Sequence, residues 1–409
     1  MITEKSNTEF WVITDTHLIA DSLHDNGHAF QLIQNTSQGK DLAYQEIALR
    51  AFTDFANQKK PAAIIVTGDV TFNGELISAQ KFAEIFSRLK ATKLLVLPGN
   101  HDIYDGWARA FKGPNQLYAH QISPRDWQEI FKSSYDCALS IDPDSLAYSV
   151  QLNQRYLLLL LDSNIYGKHE ANGAPATEGQ INEEQIIWLE KQLENAKRNH
   201  LRPVLFMHHN LYAHNPAVNR GFVLNNAQLL RRLCEDFNIK VAFSGHIHAQ
   251  NIVGPLERTP TIEVVTSSFC SYDQGYGVIK VRPDNIKYQR HTFNMKPFLN
   301  KKELEDQNLA HFHHYLKEIQ IKNLKGNSNK KDNSHDEQSE LLQKVNHLFI
   351  EMNYQYFTGH NHIEKKQLKK LYSSPEFKIL VNQRPRFSNY MKTLFDTTDH
   401  SNLETEIWY

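Results

Sequence analysis

Cysteine is scarce in this chain of 409 residues, which contains only Cys137, Cys234 and Cys270. The three are odd in number and far apart, which argues against a disulfide framework and against a zinc site built from closely spaced cysteine pairs. Scarce cysteines are typical of a reducing compartment. The N-terminal stretch MITEKSNTEF is polar and lacks the basic and then apolar pattern of a signal peptide. We therefore expect a cytoplasmic protein.

An excess of charge of either sign is also missing, because 45 Lys and Arg residues nearly balance 46 Asp and Glu residues. A net charge of −1 offers no broad attraction for long nucleic acid or for an anionic membrane. The longest aliphatic run, YLLLLL at 156–161, is too short to span a bilayer. These absences argue against long nucleic acid as a partner and against a membrane span. A small anionic substrate stays open, because the charge of a local metal ion could attract one.

What the sequence does contain is an alternation of short apolar runs with longer amphipathic stretches, up to about residue 300. The apolar runs predict strands at 10–14, 62–66, 93–97, 155–161, 202–207, 240–244, 261–266 and 276–281. The amphipathic stretches predict helices at 41–58, 75–90, 126–135, 182–198 and 226–236. This order predicts an α/β domain, and the later strands, which have no helices between them, predict that part of the sheet is antiparallel.

Beyond residue 298 the apolar residues recur at helical spacing instead. We therefore predict two domains, an α/β domain over 1–298 and a helical C-terminal domain over 299–409. The stretch KGNSNKKDNSHDEQ at 325–338 contains no apolar residue and predicts a mobile loop between two helices.

Polar side chains follow five of the predicted strands, at the carboxyl end of each. Open α/β sheets bind ligands outside the carboxyl ends of their strands, so these side chains are expected to converge. In chain order they are Asp15 and His17; Asp69; Asn100, His101 and Asp102; His208 and His209; and His246 and His248.

Carboxylates, an amide oxygen and several imidazoles, without a thiolate, form a ligand set that suits Mn²⁺, Fe²⁺ or Fe³⁺ and Zn²⁺. A tight turn after the strand, which Gly245 permits, can direct His246 and His248 to two neighbouring metal ions. The set is larger than one ion needs, so it predicts two ions roughly 3.5–4 Å apart. Such a pair can clamp the attacking and leaving oxygens of an in-line displacement at phosphorus.

Five sequence blocks, taken together and in this order, resemble those of the calcineurin-like metallophosphoesterases. They are D-x-H at 15–17, GDVTFNGE at 68–75, GNHD at 99–102, the histidine pair at 208–209 and GHIH at 245–248. The resemblance covers residues 8–295. The sequences GDVTFNGE, PGNHDIY and MHHNLYAHN are similar to those of bacterial class III cyclic-nucleotide phosphodiesterases, some of which also carry a helical C-terminal domain.

The resemblance implies a two-sheet α/β/β/α sandwich as the fold, and it implies a role for each matching residue. Asp15, His17 and His248 would bind one metal ion, Asn100, His208 and His246 would bind the other, and Asp69 would bridge the two. His101 would face the substrate phosphate as a catalytic group, and Asp102 would accept a hydrogen bond from its ring.

The activity that the resemblance implies is that of a dinuclear-metal phosphodiesterase. It would hydrolyse a small phosphodiester by in-line attack of a hydroxide that bridges the metal ions. The expected substrate is a 2′,3′- or 3′,5′-cyclic nucleotide. The same ligands would serve a phosphomonoesterase, a nucleotide pyrophosphatase or a phospholipid-headgroup hydrolase, so these alternatives stay open. A catalytically inactive scaffold is a further alternative. The sequence also does not decide among manganese, iron and zinc, whether the protein forms a homodimer, or what the helical domain does.

Two further groups of histidines and one single histidine are candidates for a function. HFHH at 311–314 and GHNH at 359–362 imitate ligand spacing, but neither follows a predicted strand or comes with carboxylates at matching spacing. We therefore expect no metal role for them. His214, in the loop after the histidine pair, is a candidate for contact with the substrate.

Overall fold

The computed structural model describes residues 1–325, 337–398 and 400–409, and it describes no side chain for 325 and 337–340. Most of the loop predicted at 325–338 therefore lies outside the described residues. The strands, in chain order, are β1 (Thr8–Ile13), β2 (Ala63–Thr67), β3 (Lys93–Leu97), β4 (Arg109–Lys112), β5 (Asn115–Tyr118), β6 (Ser140–Ile141), β7 (Tyr148–Gln151), β8 (Tyr156–Leu160), β9 (Arg202–Phe206), β10 (Val241–Ser244), β11 (Asn251–Val253), β12 (Ile262–Val265), β13 (Gly275–Val281), β14 (Asn285–Thr292) and β15 (Glu404–Trp408).

The helices include all five that the amphipathic stretches predict, although the one predicted at 126–135 is divided in two. They are α1 (His28–Thr36), α2 (Gln45–Lys59), α3 (Leu76–Phe86), α4 (Pro124–Ile130), α5 (Lys132–Tyr135), α6 (Glu183–Arg198), α7 (Ala227–Asp236), α8 (Gln307–Ala310), α9 (Phe312–Lys325), α10 (Glu337–Thr358), α11 (Lys365–Ser373), α12 (Pro375–Gln383) and α13 (Ser388–Met391). Among the described residues, no helix combines the length and the apolarity needed to cross a membrane.

Two mixed sheets form the centre of the fold. The first has the strand order β15-β14-β13-β1-β2-β3, and the second has the order β11-β12-β10-β9-β8-β7-β6. Strands β1, β2 and β3 are parallel to one another, as are β8, β9, β10 and β12, whereas the outer strands pair antiparallel. The parallel strands carry the polar residues at their carboxyl ends to one edge of the sandwich.

The two sheets enclose the main core, because successive side chains of a strand point to opposite faces. On β1, the Phe10 ring lies 6.0 Å from that of Phe206 in the second sheet, whereas Trp11 faces outward and stacks on Phe55 of α2. Tyr148 of β7 reaches across the core and hydrogen-bonds the main chain of β3. Helices α2 and α3 cover the first sheet, and α6 and α7 cover the second, which confirms the α/β/β/α sandwich.

The C-terminal helices pack directly against the loop that follows β10. Ile247 shares a buried cluster with Phe349 and Met352 of α10 and with Leu380 of α12. The chain then returns to the sandwich, where β15 pairs antiparallel with β14. The C-terminal region is helical, as predicted, and β15 is a strand that the prediction did not include. Only Ile407 of β15 is buried in the structure, so the strand has no apolar run that would mark it in the sequence.

Candidate metal centre

The predicted ligands meet at one edge of the sandwich, in two groups that share Asp69. The first group is Asp15, His17, Asp69 and His248, and the second is Asp69, His208 and His246; within each group the ligand atoms lie within 4.8 Å of one another. Asn100 lies beside the second group, with its Oδ1 atom 3.1 Å from Nε2 of His208. The structure thus brings together all seven residues for which the sequence predicts metal ligation.

Asp69 lies between the two groups. Its Oδ2 atom is 3.6 Å from Nε2 of His17, and its Oδ1 atom is 3.4 Å from Nε2 of His208. On the far side of the first group, Nε2 of His248 lies 3.2 Å from Nε2 of His17 and 3.2 Å from Oδ1 of Asp15. Imidazole nitrogens and carboxylates that converge this closely in a buried site fit ligands of a shared cation.

Outer hydrogen bonds determine which nitrogen of two imidazoles faces the centre. Nδ1 of His208 donates to the carbonyl oxygen of Thr67 at 2.9 Å, which leaves Nε2 free. Nε2 of His246 donates to the carbonyl oxygens of Thr177 and Gly221, both at 3.0 Å, which leaves Nδ1 free. Metal-ligating imidazoles are typically neutral and bind a carbonyl or a carboxylate through their second nitrogen, so both rings fit this role.

Two nearby histidines are occupied by protein partners. His209 lies with Nδ1 2.8 Å from Oγ of Ser163 and with Nε2 3.1 Å from the carbonyl oxygen of Thr177. His214 lies with Nε2 2.9 Å from Oε2 of Glu263, and its other nitrogen also has a side-chain partner. The structure therefore does not place His214 where the sequence suggested, in contact with a substrate.

Five of the seven expected ligands have a left-handed backbone. Their φ angles are 51° for Asp15, 42° for His17, 49° for Asp69, 70° for His246 and 60° for His248. Each non-glycine residue in this region costs about 1–3 kcal/mol and persists only where its surroundings hold it. Such strained residues cluster at functional sites, and here they coincide with the ligand groups.

Two glycines allow the ligand loops to approach one another. A Cβ atom on Gly99 would lie 2.2 Å from the main-chain nitrogen of Asp69, and a Cβ atom on Gly245 would lie 2.0 Å from Oγ1 of Thr14. Both distances are shorter than any tolerated contact. Gly245 therefore serves close packing, and the turn that it was expected to permit is made by the left-handed histidines on either side of Ile247.

Asp69 and His208 shift each other's pKa. Burial raises the pKa of Asp69, but His208 and the other imidazoles more than offset this effect and hold that pKa well below its ordinary value. Burial lowers the pKa of His208, but the Asp69 carboxylate overcomes it and raises that pKa to about 9. The pKa of His246 falls to about 3, because burial and the charge of His208 both disfavour its protonation. The site therefore favours positive charge beside Asp69, which a metal cation would supply.

His101 lies beside the centre, with 25% of its side chain exposed. Its hydrogen-bond partner differs from the predicted one, because Nδ1 lies 3.2 Å from Oδ2 of Asp105 and not against Asp102. Asp102 instead accepts hydrogen bonds from the main-chain N–H groups of Thr71 and Gly99 and from the Thr71 hydroxyl. The carboxylate predicted to orient His101 is therefore used to join two ligand loops, and this part of the prediction is corrected.

A cavity of about 640 Å³ adjoins the metal centre, between the sandwich and the C-terminal helices. His246 and His248 line it on one side, with Phe222 beside them. The C-terminal domain supplies much of the rest of the lining through aromatic and basic residues: Phe349, Tyr356, Arg384, Arg386, Phe387 and Tyr390. The helical domain therefore forms a wall of the candidate site, a role that its sequence did not reveal.

The histidine-rich stretches of the C-terminal domain lie in other surroundings. Nε2 of His313 is 2.9 Å from the carbonyl oxygen of Phe293, and Nδ1 of His360 is 3.0 Å from the hydroxyl of Thr358. Neither histidine belongs to the two ligand groups that share Asp69.

A two-sheet sandwich with histidine and carboxylate ligands at the carboxyl ends of its strands defines the class of calcineurin-like phosphoesterases. The family model for calcineurin-like phosphoesterase matches residues 8–250, which is more than half of the chain, and the chain belongs to this family. A second family model, the C-terminal domain of cyclic nucleotide phosphodiesterase, matches residues 294–401.

Several known proteins are similar to parts of the chain. The 3′,5′-cyclic adenosine monophosphate phosphodiesterase CpdA of Escherichia coli (strain K12) is 27% identical over 238 residues, which is 58% of this chain and 68% of CpdA. The probable glycerophosphodiester phosphodiesterase GpdQ of Arcobacter nitrofigilis is 28% identical over 197 residues, which is 46% of this chain and 57% of GpdQ.

Among solved structures, a dimetal phosphatase from Danio rerio superposes with a TM-score of 0.53 at 12% identity, over 70% of this chain and 96% of that one. This likeness shows the fold alone. The family and the phosphodiesterases among the relatives establish the chain as a metal-dependent phosphoric ester hydrolase.

Proposed function

We propose that the protein is a dinuclear-metal phosphodiesterase that acts on a small nucleotide diester, in first place a 2′,3′- or 3′,5′-cyclic nucleotide. The observation that carries the proposal is the sharing of Asp69 between two ligand groups. Asp15, His17 and His248 would bind one ion, Asn100, His208 and His246 would bind the other, and Asp69 would bind both. Manganese, iron and zinc all fit this donor set.

Two bound ions would attract the phosphate, lower the pKa of a water nucleophile and stabilise charge on the reacting phosphate. Protonation of the leaving oxygen requires a side chain of the protein. We infer that His101, partly exposed beside the centre, holds a proton for that oxygen and that Asp105 orients its ring. In a cyclic nucleotide the leaving oxygen is a ribose hydroxyl that stays attached to the product.

The cavity beside the metal centre supports a nucleotide as the substrate. Its volume of about 640 Å³ lies within the range of small-molecule sites. On its C-terminal wall, the Arg384 guanidinium lies 4.3 Å from the centre of the Phe349 ring, and Phe387 is 54% exposed. Exposed aromatic rings and stacked guanidinium groups are surfaces on which nucleobases stack. The similarity to a cyclic AMP phosphodiesterase over 238 residues supports the same class of substrate.

Hydrolysis of a glycerophosphodiester is the second candidate, because the relative GpdQ is named for it. We expect Mn²⁺ added to chelator-stripped protein to restore hydrolysis of 3′,5′-cyclic AMP, 2′,3′-cyclic AMP and bis-p-nitrophenyl phosphate. Among these substrates a cyclic nucleotide should have the highest kcat/KM, and the monoester p-nitrophenyl phosphate should be hydrolysed slowly. The rate on glycerophosphoethanolamine tests the second candidate function. A preference for the monoester would contradict the proposal, and so would a protein that binds metal but hydrolyses no ester.

Removal of an aromatic side chain from the cavity lining should weaken the binding of nucleotide diesters selectively. We expect Phe387→Ala to raise KM for 3′,5′-cyclic AMP by a factor of about 5 to 100, because stacking on one aromatic ring contributes about 1–3 kcal/mol per base. Hydrolysis of glycerophosphoethanolamine, which has no base, should be unchanged. Trp408→Ala is the matched control, because Trp408 is also exposed but does not line the cavity. Equal effects of Phe387→Ala on both substrates would contradict a base-stacking role.

Replacement of Asp105 tests the corrected partner of His101. Asp105→Asn should keep both metal ions and lower kcat for a cyclic nucleotide by about 10- to 100-fold, since a hydrogen bond to a charged group contributes about 1.5–3 kcal/mol. Burial lowers the pKa of His101, but Asp69 and Asp105 outweigh it and raise that pKa. Loss of the Asp105 charge should therefore lower the pKa of His101 and move the alkaline limb of the kcat profile to lower pH.

Asp102→Asn is the contrasting variant for this experiment. Asp102 joins the loops that carry Asp69 and Asn100 and does not contact the His101 ring, so Asp102→Asn should lower the melting temperature and leave the alkaline limb of the kcat profile unshifted. An unshifted pH profile in Asp105→Asn would show that Asp105 does not set the protonation of His101.

A further inference from the structure

Lys40 is a largely buried lysine beside the metal centre that has no part in the roles assigned so far. The residue is only 8% exposed, and among the described residues its ammonium group has no hydrogen-bond or ion-pair partner. The neighbouring carboxylate of Asp41 is not available to it, because Asp41 binds Gln45 at 2.7 Å and Tyr315 at 3.1 Å. The stem of the side chain is buried while the unpaired ammonium keeps contact with solvent, so an anion that enters from solution can reach it.

The loop that carries Lys40 is tied to the first ligand group. The N–H group of Asp41 donates to the carbonyl oxygen of Cys270 at 2.7 Å. Two residues earlier in that segment, Oγ of Ser268 donates to the carbonyl oxygen of Asp15 at 2.9 Å. Lys40 is therefore held at the edge of the metal centre and not on a remote surface.

The backbone of Lys40 is also fixed locally. Its carbonyl oxygen accepts hydrogen bonds from Nε2 of Gln34 at 2.8 Å and from Oγ of Ser37 at 3.0 Å. The preceding residues, Gln38 and Gly39, line the same cavity as the metal-site histidines. The loop thus holds the backbone of Lys40 beside the cavity.

The charge of Lys40 acts on two histidines of the candidate site. Burial and then the Lys40 charge lower the pKa of His17, one of the expected metal ligands. The same charge opposes the rise in the pKa of His101, which stands on the substrate side. Lys40 therefore lies within electrostatic range of a ligand residue and of the expected acid.

We propose that Lys40 binds a non-bridging oxygen of the substrate phosphate, as a third cation beside the two metal ions. The inference rests on the proposed function and deepens it, because Lys40 lies outside the five sequence blocks. An ammonium group donates up to three hydrogen bonds and binds phosphate as a point charge. The monoester product and inorganic phosphate carry more negative charge than a diester, so their binding should depend on Lys40 still more strongly.

The test compares Lys40→Met, Lys40→Arg and Lys322→Met, each loaded with Mn²⁺. Lys322 is the matched control, because it is an exposed lysine of α9 outside the cavity. We expect Lys40→Met to raise KM for the best diester and Ki for inorganic phosphate by about 10- to 100-fold, with a smaller change in kcat. Lys40→Arg should recover most of the binding, and Lys322→Met should match the unmodified protein.

Two measurements that do not depend on turnover complete the experiment. Calorimetry should show the same number of Mn²⁺ ions bound to all variants and weaker phosphate binding to Lys40→Met. Phosphate should raise the melting temperature of the unmodified protein, and this rise should be lost in Lys40→Met, because ligands stabilise only the fold that binds them. Without phosphate, Lys40→Met should be at least as stable as the unmodified protein.

Unchanged KM and phosphate binding in Lys40→Met would overturn the inference. A lower melting temperature without phosphate, or a loss of Mn²⁺, would overturn it as well, because the role would then be structural. If the unmodified protein hydrolyses no phosphoester, the proposed function fails, and the comparison of phosphate binding still decides the role of Lys40.

Discussion

Asp69→Asn should bind fewer than two metal ions and lose nearly all hydrolytic activity. Asp69 is the residue common to both ligand groups, with one carboxylate oxygen directed to each. A neutral amide offers a single good metal-binding oxygen, so it cannot hold two cations together. Because metal ions contribute several kcal/mol of charge stabilisation, we expect activity to fall by a factor of about 10³ or more.

Metal analysis after dialysis against Mn²⁺, together with rates on bis-p-nitrophenyl phosphate, measures this effect. Asp136→Asn is the control, because Asp136 is an exposed aspartate that pairs with Lys132 far from the ligand groups. His208→Ala should also lose metal and most activity, since its Nε2 atom faces Asp69 and Asn100. Two ions and an unchanged rate in Asp69→Asn would show that Asp69 bridges nothing.

His101→Ala should keep both metal ions and lower kcat for a cyclic nucleotide by about 10²- to 10⁴-fold, the usual range for one acid–base group. The ring belongs to neither ligand group, and the main-chain N–H group that donates to Oδ1 of Asp69 at 3.0 Å remains in the alanine variant. The effect should be smaller for bis-p-nitrophenyl phosphate, because p-nitrophenolate leaves without protonation.

The dependence on the leaving group is the decisive comparison for His101. Equal losses on the cyclic nucleotide and on the nitrophenyl diester would indicate that His101 binds phosphate and does not protonate the leaving oxygen. Full activity of His101→Ala on the cyclic nucleotide would remove it from the mechanism altogether. Metal content measured on the same samples separates both results from a loss of ions.

The sandwich and the ligand groups could be predicted because their signals are local. The run AAIIV is apolar at every position and KLLVL at all but its first, as expected for strands covered on both faces, and each run is followed by a glycine turn with a polar residue beyond it. The carboxyl ends of parallel strands share one edge, so the strand positions alone indicate that Asp69 and Asn100 are neighbours. The left-handed backbone of the ligands followed from no pattern in the sequence.

Other features depend on contacts between distant parts of the chain. Strand β15 is short and mostly exposed, and it forms because β14, more than a hundred residues earlier, offers an unpaired edge. Asp105 was missed because Asp102 is adjacent to His101 in sequence, whereas the turn at Tyr104, with φ at 49°, brings Asp105 back to the ring. Lys40 carries no motif, and its lack of a partner is visible only in the folded chain.

A crystal structure of the protein grown with Mn²⁺, with anomalous data to locate the ions, tests the central claim most directly. We expect two anomalous peaks roughly 3.5–4 Å apart, with Asp69 in contact with both. One peak should be bound by Asp15, His17 and His248, and the other by Asn100, His208 and His246. A single ion, or a pair of ions that does not share Asp69, would contradict the dinuclear site.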